Sequence, residues 1–429
     1  MFKVQRKSKL SGGRLALPIR MLLAAVHAGS WMTGRPLSRM RWRMGLFMKA
    51  LDVAAFLKIP GQAVDWGDLE LPTVNGRTIP VRWYRPKAVS PDAKALLLPV
   101  ILYFHGGGFA LGDHRVRHRY NGTWAQLSGC LFLSVGYRLA PEHPYPQGAD
   151  DAYEALLWAS RNVSQFGGDP ERLAVAGESA GGNIAAVTAL RSVHNGGPKV
   201  KAQALLYPAV DLTGGNGPGS TSQPSLRENG REYLLTLRLL HQFVDGYAEP
   251  GERSLPDVSP LLAEELGGLP PTLVVTAELD PLRDQGKLYA ERLQAFGVPV
   301  EYRCYDGMIH DFTAMMPGWL PEAEHSLRLA AEFLKERLLE VPRVEEEVRA
   351  KVEEEAAGLE RIIGEDKPMS VGRMLTEEEA ASVERMVSDD DKPTDFVALV
   401  AEIHVAGSRE HFDEMGREAG EGIKDGRPG

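Results

Sequence analysis

The chain has 429 residues, enough for one large domain with extensions or for two or three smaller domains. A hydrophobic content of 43% and a charged content of 25% are ordinary for a globular protein, and a net charge of -9 gives no case for nucleic-acid binding. The only cysteines are Cys130 and Cys304, which indicates neither a disulfide framework nor a metal site and is typical of a reducing cytoplasm.

The two ends of the chain carry opposite charge. Residues 1–60 contain 12 lysines and arginines against one acidic residue, Asp52, a formal charge of +11. Residues 341–429 contain 12 against 24, a formal charge of -12, and this acidic extension is predicted to be partly helical. Two interpretations stay open for it: a solvated tail, or a segment that docks onto the basic end of this chain or of a partner chain.

The basic segment at residues 1–63 is predicted to form amphipathic helices. Residues 15–32 are mostly apolar, but the longest uninterrupted stretch, Met21–Val26, is too short to span a bilayer. A secretory signal peptide stays an alternative because the start of the chain is positively charged. We expect the helices, which continue over Arg39–Leu57, either to cover a site in the main domain or to lie on an anionic membrane surface.

A β-hairpin is predicted next. Alternating apolar and polar residues over Val64–Arg85, with a turn at Asn75–Gly76, indicate two antiparallel strands at the edge of a sheet. The continuous apolar run Leu96–Phe104 indicates a central parallel strand that is buried on both faces. It is followed by His105–Phe109, where three consecutive glycines leave backbone N–H groups able to face a ligand.

From residue 118 onward, predicted strands alternate with predicted helices. This order favours an α/β fold with a mostly parallel sheet flanked by helices, over residues 64–340. The loop Gly214–Pro224 and the helix after it are predicted to form an insertion, and Gly167–Pro170 to break the chain between elements. The predicted helices are His118–Leu127, Ala149–Ser160, Tyr233–Tyr247 and Leu288–Phe296, and the predicted strands are Cys130–Tyr137, Leu173–Ala176, Ala202–Tyr207, Thr272–Thr276 and Val300–Tyr305.

The segment Gly177-Glu-Ser-Ala-Gly181 lies between a predicted strand and a helix predicted from Ile184 onward. A serine at such a sharp turn projects its hydroxyl out of the sheet, and glycines two residues away on each side let strand and helix approach closely. The turn also leaves N–H groups at the start of the helix without partners. Ser179 is therefore the predicted nucleophile, against the alternative of a glycine-rich turn that only joins two core elements.

A serine nucleophile needs a base, an acid that orients the base, and donors for the oxyanion. The acid and the base are expected after the serine along the chain, in that order, on loops that follow later strands. Asp280 lies on such a loop and is the predicted acid, with Glu278 and Asp284 as competitors. We expect Asp284 to lie in the next helix instead, where it caps the start. His310 follows the last predicted strand and is the predicted base.

The predicted oxyanion donors are the N–H groups of Gly107, Gly108 and Ala180. His105 opens the glycine run, and we predict that it braces this loop by hydrogen bonds rather than abstracting a proton. Asp311 places a second carboxylate beside the base, where it either raises the pKa of the histidine or faces solvent.

Five motifs follow one another along the chain: His105-Gly-Gly-Gly-Phe109, Tyr137-Arg-Leu-Ala-Pro-Glu-His-Pro-Tyr-Pro146, Gly177-Glu-Ser-Ala-Gly-Gly182, Asp280-Pro-Leu-Arg-Asp284 and His310-Asp-Phe312. With them, residues 64–338 resemble the hormone-sensitive-lipase-like family of α/β hydrolases, the bacterial esterase group. The resemblance implies the α/β-hydrolase fold, with Ser179, Asp280 and His310 as the catalytic triad and the three N–H groups above as the oxyanion hole. It also implies that the amino-terminal helices form a cap over the acyl pocket.

The chain departs from the family pattern at two positions. Glu178 stands before the nucleophile where family members commonly have aspartate, and Gly136 stands where an acid commonly precedes the Tyr-Arg pair. The extension at 341–429 lies outside the family pattern altogether.

We predict a serine carboxylic-ester hydrolase that acts on small-molecule esters through an acyl-enzyme intermediate, without a metal or an organic cofactor. Short to medium acyl chains are expected because the resemblance implies a pocket enclosed by a helical cap. The alternatives are an amidase or formamidase that uses the same triad, and a non-catalytic ligand receptor on the same fold. A homodimer and a peripheral membrane contact through the basic segment stay open for an otherwise cytoplasmic protein, and no nucleic-acid partner is expected.

Overall fold

An eight-stranded sheet forms the centre of the structure, which is a computed structural model. The strand order is β1-β2-β4-β3-β5-β6-β7-β8; β1/β2 and β2/β4 are antiparallel and the other neighbours are parallel. This arrangement confirms the predicted α/β fold with a mostly parallel sheet. The strands are β1 (Val64–Pro72), β2 (Thr78–Pro86), β3 (Leu98–Phe104), β4 (Leu131–Val135), β5 (Gly168–Glu178), β6 (Val200–Leu206), β7 (Thr272–Leu279) and β8 (Val300–Ile309).

The structure describes most of the chain up to residue 339. The described residues are 15–29, 37, 40, 41, 45, 46, 49, 50, 63–87, 97–216, 222–316 and 318–339. The predictions for the acidic extension at 341–429, and for most of the basic segment at 1–63, lie outside them. All described residues fall within one compact unit of the chain.

The hairpin at one edge of the sheet confirms the prediction from alternation. β1 and β2 pair along their whole length, with Val64 opposite Pro86. The turn is closed by the N–H of Thr73, which donates to the carbonyl of Arg77 at 2.8 Å. Gly76 adopts a φ of 73° in this turn, a conformation that favours glycine.

The strand β3 shows why its sequence is apolar throughout. It lies between β4 and β5, and every residue except Leu98 is buried. Successive side chains point to opposite faces of the sheet, so Val100 and Leu102 enter one hydrophobic core whereas Ile101 and Tyr103 enter the other. A strand buried on both faces needs apolar residues at every position.

Helices cover both faces of the sheet and complete these two cores. Gln147–Asn162, Ala180–His194 and Arg283–Ala295 contribute to the first core. His118–Ser128 and Pro321–Leu339 contribute to the second. The predicted helices in these regions are confirmed, with shifts of one to several residues at their ends.

One amino-terminal helix, Leu17–Gly29, is described within the basic segment. One face of this helix joins the second core, while the apolar side chains of Leu17 and Met21 are 65% exposed. In the described part of the chain, no helix combines the length and the apolar character needed to cross a bilayer. The buried side chains of Leu17–Gly29 include Ile19, Leu22 and Leu23.

The insertion between β6 and β7 contains a helix that starts later than predicted. It spans Leu237–Tyr247 rather than Tyr233–Tyr247, because the side chain of Thr236 caps it by accepting a hydrogen bond from the N–H of Leu239 at 3.2 Å. Further short helices in the described residues are the α-helices Ser225–Glu228 and Phe312–Met315 and the 3-10 helices Val163–Phe166 and Pro260–Leu262.

Several strands run further than the sequence predicted. Gly168–Pro170 does not break the chain before β5 but forms its first residues, and Gly168 pairs with Leu98. At the other end of the sheet, β7 and β8 continue pairing as far as Leu279 and Ile309. These are the residues directly before Asp280 and His310, so the pairing places the two predicted site residues side by side.

Candidate active site

Ser179 occupies the turn between β5 and the helix Ala180–His194, as the motif predicts. Its φ of 55° and ψ of -120° are unusual for a residue with a side chain and project the hydroxyl away from the sheet. The turn is tight enough that a Cβ on Gly181 would overlap the carbonyl oxygen of Phe104. The sequence therefore needs glycine here for the helix to pack against the end of β3.

Two hydrogen bonds join Ser179, His310 and Asp280 into one chain of contacts. His310 Nε2 lies 2.8 Å from Ser179 Oγ, and His310 Nδ1 lies 2.7 Å from Asp280 Oδ2. Because a carboxylate can only accept, the neutral imidazole donates from Nδ1 to Asp280 and accepts the serine hydroxyl at Nε2. Asp280 is fully buried, and its second oxygen accepts from the N–H of Leu282 at 2.8 Å.

The pKa of His310 is raised above its ordinary value. Burial works against this by disfavouring the imidazolium, but the negative charge of Asp280 and the hydrogen bond that the imidazole donates to it raise the pKa. The charge of Asp311 raises the pKa further, whereas that of Arg117 lowers it. The site therefore favours a positive charge on the imidazole at the moment it accepts a proton.

Neither competitor for the acid position contacts His310. The carboxylate of Glu278 accepts a hydrogen bond from the N–H of Gly307 at 2.6 Å, on an exposed side chain. Asp284 lies in the first turn of Arg283–Ala295, as predicted, but its carboxylate accepts from the N–H of Ser225 at 2.7 Å. It thus fastens the insertion to this helix, whose N-cap residue is Leu282.

The three predicted oxyanion donors line the same cavity as Ser179 and His310. In the described part of the chain, the N–H groups of Gly107, Gly108 and Ala180 have no hydrogen-bond acceptor. The glycine loop is folded on itself, since the N–H of Leu111 donates to the carbonyl of Gly107 at 2.9 Å. Donors held in place without an acceptor suit a site where negative charge develops.

His105 is placed to support the glycine loop, in line with its predicted role. Its ring stacks on Tyr137 with 4.6 Å between centroids, and its Nδ1 lies 2.8 Å from the carbonyl oxygen of Gly106. The hydroxyl of Tyr137 donates back to the carbonyl of His105 at 2.7 Å. Burial lowers the pKa of His105 to about 4, so this imidazole stays neutral near pH 7.

The insertion supplies a large part of the apolar wall of this cavity. Apolar side chains from other parts of the chain, among them Leu111, Val116 and Met315, complete the wall, and the described residues of the basic segment do not line the cavity. The predicted cap role of that segment stays a prediction. The sequence did not predict that the insertion lines the cavity. Apolar residues spaced three and four apart along it nevertheless indicate a helix with one buried face. The lining residues from the insertion are Leu234, Leu235, Leu239, Leu240, Phe243 and Val244.

The sequence also did not predict the cluster of charged side chains that Arg117, Glu178 and Asp311 form beside Ser179 and His310. Asp311 does not face solvent: its carboxylate accepts from the guanidinium of Arg117 at 2.5 Å, and the same guanidinium bonds the carboxylate of Glu178. All three side chains line the cavity. Among the described residues, no group of three or more His, Cys, Asp and Glu is arranged to hold a metal ion.

The fold and the site together define an α/β hydrolase. A family model described as alpha/beta hydrolase fold matches residues 101–314. The carboxylesterase NlhH of Mycobacterium tuberculosis is 41% identical over 239 residues, which cover 54% of this chain and 71% of the relative. The ethyl acetate hydrolase of Pseudomonas putida is 36% identical over 273 residues, which cover 63% of this chain and 82% of that protein.

Among solved structures, esterases also superimpose on this chain. A hyperthermophilic esterase from the archaeon Pyrobaculum calidifontis superimposes with a TM-score of 0.68 at 36% identity, covering 75% of this chain and 98% of that one. The chain belongs to the hormone-sensitive-lipase-like family of α/β hydrolases, as its motifs indicated. It is a carboxylic-ester hydrolase.

Proposed function

We propose that this ester hydrolase works through Ser179 as nucleophile, His310 as general base and acid, and Asp280 as the group that orients the imidazole. The observation that carries the proposal is the unbroken pair of hydrogen bonds, 2.8 Å from Ser179 to His310 and 2.7 Å from His310 to Asp280. Each contact lies within the range that proton transfer requires. Gly107, Gly108 and Ala180 are proposed as the oxyanion donors.

In the acylation step, Ser179 Oγ attacks the ester carbonyl carbon while His310 Nε2 takes its proton. Negative charge develops on the carbonyl oxygen. The N–H groups of Gly107 and Gly108, in the glycine loop His105–Phe109 that we call the oxyanion loop, and of Ala180 stabilise this charge. The imidazolium, stabilised by Asp280, then protonates the alkoxide oxygen, and the alcohol leaves. The product of this step is an acyl ester on Ser179.

In the deacylation step, a water molecule takes the place of the alcohol. His310 accepts a proton from the water as it attacks the acyl carbonyl, and the same oxyanion donors stabilise the second tetrahedral intermediate. The proton returns to Ser179 Oγ as the acid is released. The proposed cycle uses only side chains, backbone N–H groups and water.

We propose short to medium acyl chains as the substrate class. The cavity around Ser179 is walled mainly by leucine, valine, phenylalanine and methionine side chains, which suit an alkyl chain. Phe243 lies directly against the oxyanion loop at Gly108, where it limits the space beside the reacting carbonyl. One relative is named an ethyl acetate hydrolase, which supports the short end of this range of acyl chains.

The test is hydrolysis of p-nitrophenyl esters from acetate to palmitate by the wild type and by Ser179→Ala. We expect activity on the shorter esters that falls with chain length and is lost in the variant, with the fold checked by circular dichroism. Ser160→Ala is the matched control and should retain activity, because Ser160 does not line the cavity and donates to the carbonyl of Leu157 at 2.9 Å.

Three results would count against the proposal. Activity that survives Ser179→Ala removes the nucleophile assignment, and preference for palmitate over butyrate removes the substrate class. Anilides with the same acyl groups are included because the same triad can attack amides. Faster cleavage of the anilide than of the matching ester would assign the enzyme to amide hydrolysis instead. The predicted membrane contact and homodimer stay predictions.

A further inference from the structure

Arg117 links the two residues that adjoin the proposed nucleophile and base. Its guanidinium bonds the carboxylate of Glu178, the residue before Ser179, and lies 2.5 Å from the carboxylate of Asp311, the residue after His310. The side chain of Glu178 is fully buried, and those of Arg117 and Asp311 are only 11% and 16% exposed. Charges this far from solvent are retained when they are paired with one another.

Further contacts hold this cluster in one arrangement. The hydroxyl of Tyr207 lies 3.4 Å from a carboxylate oxygen of Glu178 and 3.4 Å from one of Asp311. The N–H of Gly106, in the loop that leads to the oxyanion donors, donates to Glu178 at 3.3 Å. The cluster therefore connects segments at the ends of β3, β5, β6 and β8.

Backbone conformation marks the same residues. Arg117, Ser179, Tyr207 and Asp311 all have a positive φ, between 37° and 67°. Among the described residues, Phe109 in the oxyanion loop is the only other non-glycine residue with a positive φ. A side chain rarely adopts this conformation, and it persists where surrounding contacts hold it, typically at functional sites.

We propose that Arg117 is a positioning residue for ester hydrolysis: by binding Glu178 and Asp311 together, it fixes the nucleophile turn relative to the loop that carries the base. The inference rests on the proposed roles of Ser179 and His310. Arg117 acts through these two carboxylates and takes no part in bond breaking. Ser179 and His310 come from loops after different strands, and their contact depends on how those two loops are held.

The cluster also sets the charge that the imidazole experiences. His310 faces Asp280 from the end of β7, Asp311 and Arg117 from the cluster, and the ring of Tyr207, whose centroid lies 5.2 Å from its own. Asp311 favours the imidazolium and Arg117 disfavours it. Removing the charge of Asp311 while keeping its shape should therefore lower the pKa of His310.

The test uses three variants with matched controls, each assayed for kcat, KM and the pH dependence of kcat/KM on a short p-nitrophenyl ester. Arg117→Met removes the link, Arg117→Lys keeps the charge without the forked geometry, and Asp311→Asn removes one carboxylate. Asparagine tolerates a positive φ, so this last change leaves the backbone of the loop unstrained. The controls Arg172→Met and Asp169→Asn break an arginine–aspartate pair near the opposite end of β5.

We expect Arg117→Met to lower kcat by about 100-fold with little change in KM, since misplacing reacting groups by about 1 Å costs that much. Arg117→Lys should lie between this variant and the wild type. Asp311→Asn should move the acid limb of the pH profile to lower pH, whereas neither control moves it. A purely structural role would lower the amount of folded enzyme and leave the limb in place.

Wild-type kcat in Arg117→Met, or an acid limb in Asp311→Asn that coincides with that of the wild type, overturns the inference. If Arg117→Met does not fold, Arg117→Lys and Asp311→Asn carry the test alone. Labelling with an alkyl fluorophosphonate separates this result from failure of the proposed function. Modification of Ser179 in the wild type, located by mass spectrometry, keeps the nucleophile assignment whatever the Arg117 variants do, and labelling elsewhere rejects it.

Discussion

Phe243 occupies the space that a side chain on Gly108 would need. A Cβ built on Gly108 would overlap the phenyl ring, and the φ of Gly108 is +61°. Gly108→Ala must therefore push the ring or the loop aside and move a proposed oxyanion donor. We expect a loss of about 100- to 1,000-fold in kcat, the usual cost of losing one such donor. The measurement is kcat for p-nitrophenyl butyrate on purified, folded enzyme.

Gly196→Ala is the control for this prediction. Gly196 has nearly the same φ, +60°, but nothing lies within 4 Å of the position its Cβ would take. Both alanine variants should lose about 1–2 kcal/mol of stability from the left-handed conformation, measured by urea unfolding. Only Gly108→Ala should lose turnover. Equal kcat values in the two variants would show that the overlap with Phe243 has no effect on the oxyanion loop.

Phe243 should also limit acyl-chain length. Phe243→Ala removes an aromatic wall of the cavity, so the ratio of kcat/KM for octanoate to that for butyrate should rise by roughly 10-fold or more, within the range known for methylene discrimination. His241→Ala, on the exposed side of the same helix, should leave the ratio unchanged. An unchanged ratio in Phe243→Ala would place the length limit elsewhere in the cavity.

The pH profile follows from the pKa of His310. In the proposed mechanism the imidazole must be neutral to accept a proton from Ser179, so kcat/KM should be low below the pKa and rise as pH passes through it. Because this pKa is raised above 6.5, the midpoint of the acid limb should lie above pH 6.5. Stopped assays across pH 5 to 9, with a check that the enzyme stays folded, measure it. A midpoint below 6.5 contradicts the prediction.

Asp280→Asn tests the cause of that shift. Without the carboxylate, burial dominates and the pKa of His310 should fall, which moves the acid limb to lower pH. The amide can also donate to Nδ1 and select the wrong tautomer, and the equivalent change in a serine-protease triad costs about 10⁴-fold in kcat. Glu278→Gln is the control, since that side chain is exposed and does not contact His310. Glu278→Gln should retain the wild-type kcat and the wild-type position of the acid limb.

Arg41 ties the basic segment to the proposed oxyanion loop. Its guanidinium donates to the carbonyls of Ala110 at 2.6 Å and Ala140 at 2.5 Å, and it pairs with Glu142. We expect Arg41→Met to lose about 1–3 kcal/mol of stability, because two carbonyls lose their donor, and to lower kcat since Ala110 follows the loop. Glu142→Gln breaks only the exposed ion pair and should cost less than about 1 kcal/mol. Urea unfolding with activity assays compares the two variants.

The sequence predicted the parts of the site that depend on local order along the chain. Ser179 follows a buried strand within a glycine motif, and His310 directly follows the last strand, so their places at one edge of a parallel sheet follow from topology. Asp280 could be preferred to Asp284 as the acid because Asp284 was expected to lie in the next helix. The strand ends were less accurate, since pairing at Gly168 depends on the neighbouring strand.

Other parts depend on contacts between distant segments, which the pattern of one segment does not encode. Arg117 stands in the run His114-Arg-Val-Arg-His118, which is indistinguishable from a solvated basic surface until β5 and β8 bring Glu178 and Asp311 to it. The wall at Phe243 likewise needs the insertion to fold back over the glycine loop. Apolar periodicity predicts that this helix has a buried face, but not which part of the domain covers it.

Ser179 and His310 stand 131 positions apart in the chain, yet their side chains lie 2.8 Å apart. The strands β6, β7 and β8 must pair in order before the imidazole reaches the hydroxyl. Contacts of such long range form slowly and late in folding, since the loops between them must close first. An incompletely assembled sheet thus holds Ser179 without its proposed base, and recovery of esterase turnover during refolding should lag behind recovery of helical circular dichroism.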